Sequence, residues 1–428
     1  MTLFGSSGIR GIVDKKFLEL VFEVGLSVGS SYSPVVVGCD TRTSSSALKH
    51  AFISALLSAG SRCYDAGTIP TPTLAYAARK FEAGAMLTAS HNPPQYNGVK
   101  LFNPDGSAFD SAQRERIEEM IGKRDLGLAS WEAMETSKTY PEAIEEHIDR
   151  VLQDFGNGLK LKVVLDCGCG AASLVSPHLL RRMGCEVIAL NCDPSGYFPR
   201  GIEPTPENLG MLVQAVKSSG ADLGIAHDGD GDRMVAVDDA GRFIPGDKLL
   251  ILFARELEAG QVVTTVDASM AVEESGFEVI RTRVGDAFVS EELRKGGDFA
   301  GEPAGSWIFP HMSYCPDGVY AAAQIARIAG EKRLSRLVDD LPSYPILRGS
   351  VLGEGVIMER VEHGLMEMEP VSVSKIDGLK LSFEDGWLLI RPSGTEPKIR
   401  FTAEARSQAR AQRLYDLGIE AVKECTKG

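Results

Sequence analysis

The 428-residue chain has no long apolar run and no excess of basic charge, and its few cysteines are not clustered. Runs such as Leu249-Leu250-Ile251-Leu252-Phe253 are far shorter than the roughly 20 residues a membrane-spanning helix needs. The first residues, Met1-Thr2-Leu3-Phe4-Gly5-Ser6, have neither the basic start nor the apolar core of a signal peptide. The 45 Lys and Arg are outnumbered by 59 Asp and Glu, giving a net charge of −14. That balance argues against non-specific binding to nucleic acid. The eight cysteines are scattered. Only Cys167 and Cys169 lie close together, and a C-x-C pair alone is not a zinc pattern. These absences predict a cytoplasmic protein without structural disulfides, membrane contact or nucleic-acid partner.

What is present is an alternating pattern. Pro34-Val35-Val36-Val37-Gly38-Cys39-Asp40 reads as a buried strand ending in a polar loop, and residues 44–59 follow as an amphipathic helix. Residues 162–168, 221–228 and 262–267 repeat the strand that runs into an Asp or Gly. Apolar strands alternating with helices predict an α/β fold with largely parallel sheets covered on both faces. Ligand loops then gather at the carboxyl ends of the strands. The tail differs. From Ile376 it shows short strands and then a helix over 408–423, an α+β pattern. Local composition shifts suggest soft boundaries near 140, 240 and 344, but composition alone does not give the number of domains.

Three loops carry chemistry. Thr88-Ala89-Ser90-His91-Asn92-Pro93 follows the strand candidate Ala85-Met86-Leu87 and puts a serine hydroxyl on a tight polar turn. Ser90 lacks the partners of an acyl-transfer triad. With His91 and Lys100 nearby it can instead carry a phosphoryl group. For His91 the plain alternative is a residue that orders its own turn; for Lys100 it is a solvated strand-end lysine.

Asp228-Gly229-Asp230-Gly231-Asp232-Arg233 lies between two apolar runs. Three alternating carboxylates separated by glycines can fold around one small hard cation, and an all-oxygen set favours Mg²⁺. The EF-hand pattern fails, because Arg233 and Asp239 stand where Gly and Glu are required. The plain alternative is an acidic turn between strands.

Arg391-Pro392-Ser393-Gly394-Thr395-Glu396-Pro397-Lys398-Ile399-Arg400 connects two further strand candidates. Its hydroxyls and backbone N–H groups can form an anion nest, with Arg391 or Arg400 gripping phosphate. A simple hairpin turn explains the same residues. An anionic ligand in an acidic protein needs a local basic patch, and Arg10, Lys100, Arg233, Arg391 and Arg400 are its candidates.

Taken together, these stretches resemble the α-D-phosphohexomutase superfamily of phosphoglucomutases, phosphomannomutases and phosphoglucosamine mutases. Gly5-Ser6-Ser7-Gly8-Ile9-Arg10-Gly11 resembles its N-terminal signature, with Ser6 where Thr is usual. The serine, aspartate and C-terminal loops follow in the family's order. The stretch Thr282-Arg283-Val284-Gly285-Asp286-Ala287-Phe288-Val289 matches more weakly.

The resemblance implies three similar mixed α/β domains, 1–140, 141–240 and 241–344, and a C-terminal α+β domain, 345–428, around a central cleft, spans that agree with the soft boundaries. A monomer or homodimer is expected. It implies phosphoserine at Ser90 and one Mg²⁺ held by Ser90, Asp228, Asp230 and Asp232. Arg10, His91 and Lys100 would assist catalysis, with Lys100 a base if neighbouring cations lower its pKa. The phosphosugar substrate would meet Arg233, Gly285, Asp286, Glu302, Ala304, Ser306, Arg391, Ser393, Gly394, Thr395 and Arg400. The reaction implied moves phosphate between C6 and C1 of a hexose through a bisphosphorylated intermediate.

The sugar loop departs from the family's Gly-Glu-x-Ser-Gly-His and reads Gly301-Glu302-Pro303-Ala304-Gly305-Ser306-Trp307. Gly-Glu-Pro with a following Trp resembles the archaeal branch, many of whose members are assigned to glucosamine phosphate. Glucose, mannose and pentose phosphates stay open as substrates. So do a metal-dependent phosphatase and a non-catalytic phosphosugar-binding protein.

Overall fold

A computed structural model describes residues 3–5, 7–124, 126–352, 358–392 and 398–426. Four sheets follow one another along the chain. The first has six strands in the order Ile9–Ile12, Tyr96–Phe102, Ala83–Leu87, Val35–Cys39, Cys63–Thr68 and Lys138–Thr139. Its Val35, Ala83, Cys63 and Lys138 strands pair parallel, and the first two strands of the order pair antiparallel. The second runs Met234–Val237, Leu223–His227, Lys162–Asp166, Glu186–Leu190, and the third Glu278–Thr282, Gln261–Thr265, Phe299–Glu302, Ser306–Ile308. Each of these two sheets is parallel except for one antiparallel edge strand. The fourth is wholly antiparallel: Ile346–Leu352, Lys398–Ala405, Gly386–Pro392, Leu379–Phe383, Ser372–Ser374. The last domain therefore starts its sheet earlier than Ile376. The strand Ile346–Leu352 has no fully buried residue, and Arg348-Gly349-Ser350 interrupts its apolar run.

Local sequence explains the first domain's packing. Asp14 caps the helix Lys15–Gly29 by accepting from Phe17 N at 2.8 Å. That helix lies directly on the helix Ser45–Ser58. The approach is close because Gly25 and Gly29 share one face. A Cβ at either would fall 2.7 Å from Ala55 Cβ or 2.9 Å from Ala59 Cβ. Leu48, Phe52 and Leu56 fill the gap beneath, each burial contributing about 1.5–3 kcal/mol. The largest core cluster is shared by the second and third domains, with Phe253, Phe299, Trp307 and Phe309 in edge, tilted or stacked contact. All eight cysteines carry free thiols. No helix among the described residues is long and apolar enough to cross a membrane.

The third and fourth domains meet through a buried carboxylate. Glu404 accepts from Ser269 Oγ, from Met270 N at 2.7 Å and from Trp387 Nε1 at 2.7 Å. Val266, Trp387 and Leu389 form an apolar cluster beside it. Glu404→Ala leaves three donors without an acceptor, at about 1–3 kcal/mol for each buried group. The expected result is a loss of about 3 kcal/mol or more in denaturant unfolding, with Glu404→Gln losing less. Equal stability of the Ala variant and the parent protein contradicts the role.

Candidate active site

The serine loop leaves the strand Ala83–Leu87 and is buried rather than open. Ser90 is 2 % exposed and has φ +50°, in the left-handed region. Its Oγ donates to Asp228 Oδ2 at 2.8 Å and lies 3.3 Å from His91 Nδ1. Burial, then the guanidinium groups of Arg233 and Arg10, hold His91 well below its ordinary pKa, so its ring is neutral. Arg10 enters from the antiparallel edge strand Ile9–Ile12 and donates through Nη1 to Asn92 Oδ1 at 2.6 Å. Its Nε is buried with no partner among the described residues, an orphaned donor of the kind that an anion satisfies.

The aspartate loop joins two antiparallel strands, Leu223–His227 and Met234–Val237. Asp228 Oδ1 accepts from the N–H groups of Gly231 at 3.0 Å and Arg233 at 3.2 Å, folding the turn around its own carboxylate. Asp230 Oδ2 accepts from Thr71 Oγ1 at 2.5 Å and Lys100 Nζ at 2.9 Å, and Asp232 Oδ2 from Lys100 at 2.6 Å. All three carboxylates are buried, each with an oxygen within 4.8 Å of the others'. Burial and the two neighbouring carboxylates push Asp228 well up. Asp230 Oδ1 and Asp232 Oδ1 have no hydrogen-bond partner among the described residues. Crowded negative charge and two orphaned buried oxygens are the environment that a hard divalent cation relieves. The donor set therefore fits Mg²⁺.

The surroundings of Lys100 overturn one expectation. Its nearest charged groups are carboxylates, not cations. Burial alone would lower its pKa, but Asp230, Asp232 and Asp286 more than offset that and raise it. In this arrangement Lys100 is an ammonium ion clamped to two of the aspartates and not a free base.

The sugar loop is joined to the aspartate loop where Ser306 pairs with Arg233. Glu302 ends the strand Phe299–Glu302 and accepts from Gly285 N at 2.8 Å. Burial, then Asp286, pushes its carboxyl up to about 7. Gly285 has φ +136°, a conformation suited only to glycine. Asp286 accepts from Ser7 Oγ, linking the first domain to the third. Ala304 is exposed at the turn tip, and Ser306 is buried and bridges to Arg233. Arg233 donates to Glu203 Oε1 at 2.6 Å. Trp307 is wholly buried, donating to Met234 O at 2.8 Å.

In the fourth domain Arg391 pairs with Asp377, whose Oδ2 also accepts from Val284 N at 3.1 Å, next to Gly285. Arg400 is exposed and stands opposite Arg391 in the ladder. Ser393, Gly394 and Thr395, like Ser6, lie outside the described residues.

Four supporting residues escape sequence reasoning: Arg42, Thr71, Glu203 and Asp377. The Asp40-Thr41-Arg42 run at a strand end was a usable signal. The other three sit in turns or at helix starts with nothing to mark them.

Known proteins resemble this chain in sequence and fold. Residues 1–127, 138–241 and 245–344 match domains I, II and III of "Phosphoglucomutase/phosphomannomutase, alpha/beta/alpha", and residues 356–417 match the family's C-terminal domain. A protein of Methanocella arvoryzae named "Probable phosphoglucosamine mutase" is 48 % identical over 434 residues, 99 % of each chain. One of the same name from Pyrococcus horikoshii is 42 % identical over 444 residues, 99 % of this chain and 98 % of that one. The crystal structure of a phosphoglucomutase/phosphomannomutase family protein from Burkholderia thailandensis covers all of this chain and 98 % of its own, with a TM-score of 0.90 at 28 % identity. Four matched domains, with relatives alike from end to end, place this chain in the phosphoglucomutase/phosphomannomutase family.

Proposed function

We propose that the protein moves a phosphoryl group between C6 and C1 of a hexose phosphate, converting glucosamine 6-phosphate to glucosamine 1-phosphate. The carrying observation is the contact between Ser90 Oγ and Asp228 Oδ2, which joins the serine loop of one domain to the aspartate loop of the next. Phosphorylated Ser90 is the donor. Its Oγ–P bond breaks as a bond forms from a sugar hydroxyl oxygen to phosphorus. The hydroxyl gives up its proton, and Ser90 Oγ ends protonated. The bisphosphorylated sugar turns over in the cleft, and Ser90 Oγ takes back the other phosphate.

Asp228, Asp230, Asp232 and the phosphorylated Ser90 would hold Mg²⁺, which when bound offsets charge on the phosphoryl oxygens. Lys100, as an ammonium ion, supplies a fixed positive charge beside the same oxygens. Arg10 turns its unpartnered Nε to the phosphoryl group. His91 holds Ser90 Oγ from its neutral ring. Arg391 and the loop through Ser393, Gly394 and Thr395 to Arg400 grip the phosphate that does not react, so binding energy is used for positioning.

The amino-sugar assignment draws on the printed names of the archaeal relatives and on the altered sugar loop. Coupled assays on a panel of hexosamine, hexose and pentose phosphates test it. The highest kcat/KM is expected for glucosamine 6-phosphate, and a higher value for glucose or mannose phosphate would sink it.

Glu302 accepts hydrogen bonds from the sugar in both of its orientations. Glu302→Ala is therefore expected to lower kcat/KM for every sugar by roughly 10- to 100-fold, the cost of about 1–3 kcal/mol for a bond to a charged group. Ala304→Ser with Ser306→His restores the common family pattern and should shift the preference between glucosamine and glucose phosphates. Unchanged ratios in that double variant would locate specificity elsewhere.

A further inference from the structure

The guanidinium of Arg42 is buried, 3 % exposed, at the end of the strand Val35–Cys39. All five of its N–H donors point at acceptors. Nη1 donates to Pro93 O at 2.8 Å and Tyr96 O at 2.9 Å; Nη2 donates to Ser90 O at 2.7 Å and Asn92 O at 2.7 Å. Nε donates to Asp40 Oδ2 at 3.1 Å. One side chain thus gathers three main-chain carbonyls of the serine loop and that of Tyr96, where the next strand begins.

The network closes on Ser90 itself. Ser90 N donates to Thr88 Oγ1 at 2.9 Å, and Thr88 Oγ1 donates to the same Asp40 Oδ2 at 2.6 Å. Asp40 Oδ1 accepts from Arg42 N at 3.0 Å and Ser45 Oγ at 2.5 Å, so the carboxylate cannot swing away. Both backbone polar groups of Ser90 therefore end on the Asp40–Arg42 pair. That accounts for a serine held at φ +50°, which a non-glycine residue adopts only when its surroundings impose it. The other face of Arg42 meets the domain that carries the aspartates. Its Cζ lies 5.6 Å from the centroid of the Phe198 ring, and the adjacent Thr41 Oγ1 donates to Cys169 O at 3.0 Å.

We propose that Arg42, oriented by Asp40, is the positioning residue that aims Ser90 at the aspartate cluster for phosphoryl transfer. It touches neither reacting oxygen; it fixes the backbone from which Ser90 Oγ projects. This rests on the mutase reading. A lysine keeps the charge, but a single ammonium cannot span four carbonyls and a carboxylate. Misplacing a reacting group by about 1 Å costs roughly 100-fold in rate.

The test uses the full-length protein and its Arg42→Lys variant, with Asp40→Asn as a second variant that loosens the network from its other end. Melting curves establish that each is folded. Turnover of glucosamine 6-phosphate gives kcat and KM, and quenched mass spectrometry follows phosphoryl transfer from glucose 1,6-bisphosphate to Ser90. In a folded variant the expected result is a roughly 100-fold loss in both kcat and the rate of Ser90 phosphorylation, with KM unchanged. A structural residue would instead lose activity in step with the folded fraction, and that outcome overturns the proposal. So does a folded variant with the parent kcat. A parent protein that never gains phosphate on Ser90 overturns the mutase reading and this inference with it.

Discussion

Ser90→Ala is expected to remove turnover by roughly 10⁴-fold or more, the scale on which loss of a covalent carrier is felt. The variant should still fold. It gives up the hydroxyl contacts to Asp228 and His91, while its backbone bonds to Thr88 and Arg42 use only main-chain atoms of residue 90. An alanine held at φ +50° costs no more than the serine does, since both carry a Cβ. Asp228 loses one donor but keeps the N–H groups of Gly231 and Arg233. Melting temperature should therefore barely change while kcat collapses. Phosphopeptide mass spectrometry of the active parent should find its phosphate on Ser90. A variant that turns over near the parent rate, or a phosphate found on another residue, removes Ser90 from the mechanism.

The second large effect concerns the aspartates. Asp230→Asn keeps the shape, and the amide oxygen can still meet Thr71 or Lys100. It removes one charge from a buried set in which a cation replaces lost hydration. Mg²⁺ affinity, read directly by calorimetry, should fall by at least roughly 10- to 100-fold, the range seen even for residues behind a metal's own ligands. Turnover should fall with it, and phosphosugar binding should change less. Exhaustive chelation of the parent should stop turnover, and added Mg²⁺ should restore it. Full activity after chelation, or calorimetry that detects the same affinity in both proteins, contradicts the assignment.

The strands that carry loops were readable because parallel strands buried on both faces are continuous apolar runs. Val35–Cys39 is buried at every position, and Leu223–His227 likewise. The helix expected over 44–59 is the helix Ser45–Ser58, and the long last helix begins at Gln408 as expected. Ile346–Leu352 escaped because it lies at a sheet edge with alternate positions exposed. Lys138–Thr139 escaped because two exposed residues carry no pattern. The candidate site divides the same way. Residue types in tight local motifs identify which groups can do chemistry. They do not reveal what surrounds them. Lys100 meets Asp230 and Asp232 across 130 and 132 residues of chain, so its anionic setting cannot be inferred from its neighbours in sequence. Arg42 reaches Ser90 across 48 residues, and only the fold shows that four of its five donors converge on the segment from Ser90 to Tyr96.

The most direct measurement is a phosphorus NMR time course of the purified protein with Mg²⁺, a trace of glucose 1,6-bisphosphate and glucosamine 6-phosphate. The account predicts that a glucosamine 1-phosphate signal grows as the 6-phosphate signal falls. Total sugar phosphate should stay constant, and the Ser90→Ala variant should show no exchange. Accumulation of inorganic phosphate in place of the 1-phosphate, or an unchanged spectrum with the parent protein, would contradict it.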